Sequence, residues 1–266
     1  MTGRTRSVRL LLFGAAIVLI AGLAAQPGQA KGHDDDDDEI PFDEANLFFE
    51  LNNTDGDLGI HALIDGDAWK KLEIEDPKGR KLLKVSVKGR MKKQGLTEIF
   101  FESAEPTFDE LSPEDFFKRF PAGTYEIEGK TLDGEELKSE VELTHVMPAP
   151  AANVTISGEA AAEDCDADPL PEVSEPVVIR WDPVTESHPD LGAFSADIEI
   201  VKYQLVVERE EPELFELSVD LPPDVTEYEI SPDFIALESG DGFKFEILVR
   251  EASGNQTAIE SCFELE

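Results

Sequence analysis

The sequence is short of the residues on which most protein chemistry depends. Its 266 residues include only two cysteines and four histidines, and 23 basic residues stand against 59 acidic ones. Lack of positive charge excludes nucleic acid as a partner, because a chain this acidic is repelled by phosphate. His33, His61, His145 and His188 fall in no Gly-x-Ser-x-Gly or His-Glu-x-x-His setting, so neither a serine-hydrolase elbow nor a zinc helix is encoded. Acids are plentiful, yet nothing marks out two of them as a glycosidase pair. The expectation is a protein that is not an enzyme.

Compartment is written at the start of the chain. Arg4, Arg6 and Arg9 precede an apolar run from Leu10 to Ala25, and small residues follow at Gly28 and Ala30. This is the pattern of a signal peptide, residues 1–30, cleaved after Ala30. The apolar run falls short of the ~20 residues of a spanning helix, so no stable membrane insertion is expected after cleavage, an uncleaved anchor being the alternative. The short, Arg-led signal has a bacterial look, and the destination is periplasmic or extracellular. Cleavage leaves 20 basic and 59 acidic residues, a charge suited to solubility in a salty medium or to collecting cations. In such a compartment Cys165 and Cys262 most simply close one disulfide, leaving no thiol nucleophile; two free thiols are the alternative.

Residues 31–39, KGHDDDDDE, have no apolar side chain to bury and read as an acidic disordered leader. From 40 to 145, seven short strand signals are separated by Asp55-Gly56, Asp65-Gly66, Pro77-Lys78-Gly79 and Asp133-Gly134, all tight-turn chemistry. The reading is an immunoglobulin-like antiparallel sandwich. One segment departs from it. Ser112-Pro113-Glu114-Asp115 has N-cap, N1 proline and first-turn acids, so a short helix is expected to plug the sandwich with Phe116, Phe117 and Phe120, or to turn them to a lipid or a partner. Residues 146–152 have the composition of a short linker, and 153–266 hold a second set of seven strands. The fold class is therefore all-β, two tandem antiparallel sandwiches with one helical insertion in the first.

The second set carries a recognisable pattern. Val177, Val178, Ile179 and Trp181 form an apolar strand closed by Asp182-Pro183; Tyr203 opens the next; Leu237, Gly240 and Phe243 follow at intervals of three. Residues of about 151–266 resemble a fibronectin type III domain, a resemblance that implies a core built on Trp181, Tyr203, Leu237 and Phe243. Phe243 stands where the family usually has a Tyr whose hydroxyl bonds the backbone, which implies a looser corner. Cys165 and Cys262 are then expected to clasp the first and last strands of that domain. The first domain has only a general similarity to bacterial immunoglobulin-like modules, through Pro121-Ala122-Gly123-Thr124-Tyr125.

Two surface features point to ligands. Asn53, Asp55 and Asp57 alternate as a calcium loop begins, with Asp65 and Asp67 in the next turn signal, so a loop binding Ca²⁺ through these five is weighed against a plain pair of Asp-Gly turns. No other cofactor is expected. Between Trp69 and Gln94 lie ten basic residues, among them Lys78, Arg80, Lys81, Lys84, Lys88, Arg90, Lys92 and Lys93, against Glu73, Glu75 and Asp76. That island pairs with acids elsewhere, protects a sheet edge, or meets an anionic partner. The function expected is an exported, non-catalytic binding or structural module contacting a protein or anionic polymer at the cell surface. The alternative is an accessory glycan-binding component of a secreted carbohydrate-active system, with Trp69 and Tyr125 as its aromatics.

Overall fold

A computed structural model describes residues 39–209, 215–235 and 242–266; the expected signal, nearly all of the acidic leader, Leu237 and Gly240 lie outside the described residues. The first half runs β1 (Glu44–Asn52), β2 (Asp57–Glu75), β3 (Lys81–Ser86), a 3₁₀ turn over Gly89–Lys93, β4 (Leu96–Glu102), α1 (Pro113–Arg119), β5 (Gly123–Thr131), β6 (Glu136–Leu143) and β7 (Val146–Pro148). The second continues with β8 (Ala152–Ile156), β9 (Glu159–Ala160), β10 (Glu172–Val173), β11 (Val178–Asp182), β12 (Ser187–Gly192) and β13 (Ile200–Arg209). It closes with β14 (Glu216–Leu221), β15 (Glu227–Glu229), α2 (Pro232–Ile235), β16 (Gly242–Glu251) and β17 (Gln256–Leu265). The all-β expectation holds, and so does the short helix. Ser112 caps α1 by accepting from the Asp115 amide, and Phe116 and Phe117 are buried against Phe49 with ring centroids 5.5 and 5.4 Å away.

The expected turn at Asp65-Gly66 does not form. Gly59–Ile64 and Trp69–Ile74, read as separate strands, belong to the 19-residue β2, whose early half pairs with β1 and β4 and whose late half pairs with β3 and β5. Register breaks fall between Asp65 and Lys71, where the strand changes partners as sheets do at a sandwich corner. Gly66 is needed there for a different reason from a turn: a Cβ would lie 3.0 Å from the Phe42 ring. Both halves of β2 turn apolar side chains into one core with Phe49, Trp69, Tyr125 and Ile127.

A second core lies between the sheet β15-β11-β8-β9 and the strands β14-β13-β16-β17. Trp181 packs edge-on to Tyr203 at 5.4 Å, and Phe243 stacks on Phe263 at 5.4 Å. Trp181, Tyr203 and Phe243 are buried, as core positions should be. The Tyr203 hydroxyl accepts from the Val184 amide at 2.8 Å. The backbone-bonding tyrosine absent at Phe243 has a counterpart in the first half, where the buried Tyr125 hydroxyl donates to the Pro121 carbonyl at 2.9 Å.

The two cores share one sheet. β17 pairs in parallel with β1, Glu50 opposite Gln256 through Asn52 opposite Ala258, giving the order β14-β13-β16-β17-β1-β2-β5-β6. The segment 146–152, read as a linker, holds β7 with Met147 fully buried. Asn255 locks the junction. Its Oδ1 accepts from the Phe49 amide at 2.8 Å, and its Nδ2 donates to the Thr144 and Val146 carbonyls at 3.1 and 2.9 Å. The disulfide Cys165–Cys262 is formed, with a Cα–Cα distance of 4.9 Å. It ties the loop between β9 and β10 to β17, so the clasp expected across the first and last strands anchors a loop instead.

Candidate functional site

The β1–β2 ladder sorts its side chains by the two-residue period of a strand. Leu47, Phe49, Leu51, Leu58, Ile60, Ala62 and Ile64 enter the first core. The opposite face presents Phe48, Glu50, Asp57, Gly59 and His61, and it too is largely covered. The cover is the segment after β4. The Ser103 amide donates to the Ile60 carbonyl at 3.1 Å and Thr107 bridges Asp57, so residues 103–107 run antiparallel alongside β2. Glu105 is thereby laid over Gly59. A Cβ at Gly59 would lie 2.2 Å from Glu105 Oε1 and 2.8 Å from its Cγ, so any other residue there would push the Glu105 side chain out of this position.

Three ligand-type side chains meet at this point. His61 Nε2 lies 2.9 Å from Glu105 Oε1, and Nδ1 lies 3.6 Å from Glu50 Oε2. One ligand atom from each of Glu50, His61 and Glu105 falls within 4.8 Å of the others. Glu50 also accepts from Gln256 Nε2 on β17, and the His61 ring sits between Phe48 and Phe100 with centroids 5.4 and 6.1 Å away. Arg250 stacks over Phe48 at 4.5 Å.

Electrostatics follow from crowding acids in a covered place. Burial pushes the Glu50 carboxyl up, against the pull of His61 and the Gln256 hydrogen bond. For His61 burial alone lowers the imidazole, but the Glu105 hydrogen bond and the charges of Glu50 and Glu105 outweigh it and hold the pKa above the ordinary histidine value. Burial, then Glu105, Asp55, Glu260 and Glu50, push Asp57 up to about 7. Asp57 is only 6% exposed, and its Oδ1 has no hydrogen-bond partner among the described residues.

The residues suspected of holding calcium are not brought together. Asn53 and Asp55 sit at the β1–β2 hairpin tip with Asp57 just beyond, where the Asn52 side chain accepts from the Thr54 and Asp55 amides at 3.0 and 3.2 Å. Asn53 Oδ1 is engaged by His188 Nε2 at 3.1 Å, and Asp55 Oδ2 accepts from Asn52 Nδ2 at 3.2 Å. Asp65 lies opposite Glu44, at the other end of the nine-residue ladder and roughly 25 Å along the strand from Asp57, with Asp67 beyond it.

The basic island divides. Arg80 pairs with Asp76, Lys81 with Glu73 and Glu75, and Lys84 with Glu73. Lys81 and Lys84 lie on β3, which pairs with β2 alone among the described residues, so they also guard an edge. Lys78, Lys88, Arg90, Lys92 and Lys93 are exposed and carry no acid partner among the described residues, and Met91 between them is 44% exposed. The aromatics suspected of binding glycan are core residues. Trp69 and Tyr125 are fully buried, the indole donating to the Thr97 carbonyl at 3.2 Å. A shallow cleft of about 240 Å³ between β3 and β6 is lined by Lys71, Glu73, Lys84, Glu128, Lys130 and Glu136 among others, whose alternating signs leave no field of one sense.

No protein-family model matches the chain, and no curated protein sequence matches it. Among solved structures it is similar to the FN1–FN3 domains of chicken CNTN1, at 8% identity and a TM-score of 0.35 over 85% of this chain. It is also similar to a tetra-tandem repeat from the extending region of a large adhesion protein, at 10% identity and a TM-score of 0.26 over 84% of this chain. The chain spans 65% of the first of those structures and 50% of the second. No helix among the described residues is long and apolar enough to cross a membrane.

Proposed function

We propose that the protein is an exported, non-catalytic binding module whose fibronectin-like second half stiffens the first, and that the first half meets an anionic protein or polymer outside the cytoplasm. The observation that carries this reading is the 3₁₀ turn at Gly89–Lys93. Arg90, Met91, Lys92 and Lys93 project together from it, exposed and without acids among the described residues, on a chain whose formal net charge is −36. A cluster of the minority sign at a sheet end favours oriented encounter with a negative surface. An apolar Met beside the cations adds an adaptable contact. The paired half of the island, Arg80 to Lys84, is spent on its own acids.

Retention of the full chain on a heparin or polyglutamate column tests the reading. Charge reversal of Arg90, Lys92 and Lys93 is expected to abolish retention in 50 mM salt while leaving thermal stability unchanged. The same changes at the paired Lys81 and Lys84 are expected to matter less. Equal retention of all variants refutes the assignment.

A further inference from the structure

We propose that Glu50, His61 and Glu105 form a binding site for a divalent transition metal, with zinc as the best-matched ion. The proposal is independent of the basic turn. It rests on the kind of donors present, on their placement, and on a buried neighbour with one carboxylate oxygen unpartnered among the described residues.

An imidazole with two carboxylates is the donor set of zinc and its neighbours, whereas calcium and magnesium select oxygen-only shells. The three donors come from β1, β2 and the segment after β4, so the fold assembles them and no local motif does. Ligand atoms around a tetrahedral zinc at about 2.1 Å lie roughly 3.4 Å apart. The donor atoms here lie within 4.8 Å of one another, Glu105 at 2.9 Å from Nε2 and Glu50 at 3.6 Å from Nδ1, and Glu105, on irregular chain, is the one that must swing off its hydrogen bond for a single ion to take one ring nitrogen and both carboxylates. Gly59 keeps open the space that Glu105 occupies.

Outer contacts of the sort that fix metal ligands are also present. Gln256 holds Glu50, and Phe48 and Phe100 flank the imidazole. Asp57 lies two residues from Gly59 on the same face, buried, with one carboxylate oxygen unpartnered among the described residues. A buried carboxylate oxygen without a donor is costly, and a cation supplies what it lacks. Asp57 is not one of the three grouped donors, but it lies near enough for the charges of Glu105 and Glu50 to act on it, and a cation bound there would relieve that crowding of acids.

The test uses the full chain, freed of metal with chelator and titrated with Zn²⁺ while the imidazole ¹⁵N signals are followed. The four histidines are assigned from single His→Gln variants. The expected result is one equivalent of zinc bound with a large shift of the His61 nitrogen, unaffected by millimolar Ca²⁺. Zn²⁺ affinity measured by calorimetry should fall at least tenfold in Glu105→Gln and in His61→Gln. A His61 signal that stays put in the wild type overturns the proposal, including the case in which zinc binds only at His33 and the Asp34–Asp38 run. Should either variant fail to fold, the wild-type spectrum still decides. Displacement of zinc by millimolar calcium also overturns the choice of metal.

Discussion

Replacing Asn255 with Ala is expected to loosen the joint between the two cores. The side chain is fully buried and serves four groups: the Phe49 amide, the Thr144 carbonyl and hydroxyl, and the Val146 carbonyl. Alanine leaves one buried donor and two acceptors without their partner, at about 1–3 kcal/mol for each group left unsatisfied. Water entry offsets part of this at the backbone groups, and the Thr144 hydroxyl keeps its bond with Ser253, so a loss of about 3–5 kcal/mol is expected. The chain supplies its own assay, because it has two tryptophans, Trp69 in the first core and Trp181 in the second. Single-tryptophan versions made with Trp→Phe each report one core during guanidinium unfolding. With Asn255 present both should unfold at one midpoint; in Asn255→Ala the two midpoints should fall and separate. Coincident transitions within about 1 kcal/mol of the parent refute the reasoning. Asn255-Gln256-Thr257 also has the spacing of a glycosylation acceptor, but with its amide hydrogens engaged and no exposure the folded chain cannot present that asparagine.

Four further outcomes can be checked by denaturation. Asp76 accepts from the Lys78 and Arg80 amides at 2.8 and 2.9 Å and from Arg80 Nε at 2.7 Å; burial acts against these bonds, but they win and hold its carboxyl below the usual range. A depressed carboxylate stabilises above its unfolded pKa near 4 and stops doing so as pH falls through the folded value. Asp76→Asn should therefore be less stable than the parent at pH 7 and match it in strong acid. Removing the disulfide, which closes a separation of 97 residues, should cost about 4–5 kcal/mol in guanidinium melts. Tyr125→Phe should cost about 1 kcal/mol, the net worth of its bond to Pro121, in the same melts. Trp181→Ala should cost about 3–5 kcal/mol by the volume it leaves, and an unchanged midpoint of the second core would overturn its assignment as core.

What could be read in advance was whatever has a local cause. Ser112 and Pro113 open a helix because capping and a fixed φ act within one turn, and Val178–Asp182 is a strand because the apolar run that begins at Val177 is closed at Asp182-Pro183. The disulfide followed from there being one pair. Local signals misled at Asp65-Gly66, where glycine serves close approach by Phe42 inside a long strand, and at Trp69 and Tyr125, whose polar tips find backbone acceptors inside the core. The site was illegible for the converse reason. Glu50, His61 and Glu105 are 11 and 44 residues apart and meet only because β1, β2 and the segment after β4 lie side by side. The sequence did hold one signal: polar Glu50, Asp57 and His61, with Gly59, alternate with the apolar Phe49, Leu51, Leu58, Ile60 and Ala62.

Pairing of β1 with β17 sets the order in which the molecule can be finished. Glu50 meets Gln256 across 206 residues of chain. A chain delivered amino end first, from a ribosome or through a membrane, shows β1 as a bare edge until almost everything else has arrived. Its free amides and carbonyls are then an invitation to any passing strand. Completion is a late, whole-chain event governed by the slowest long-range contact, and not a sequence of halves that fold as they emerge.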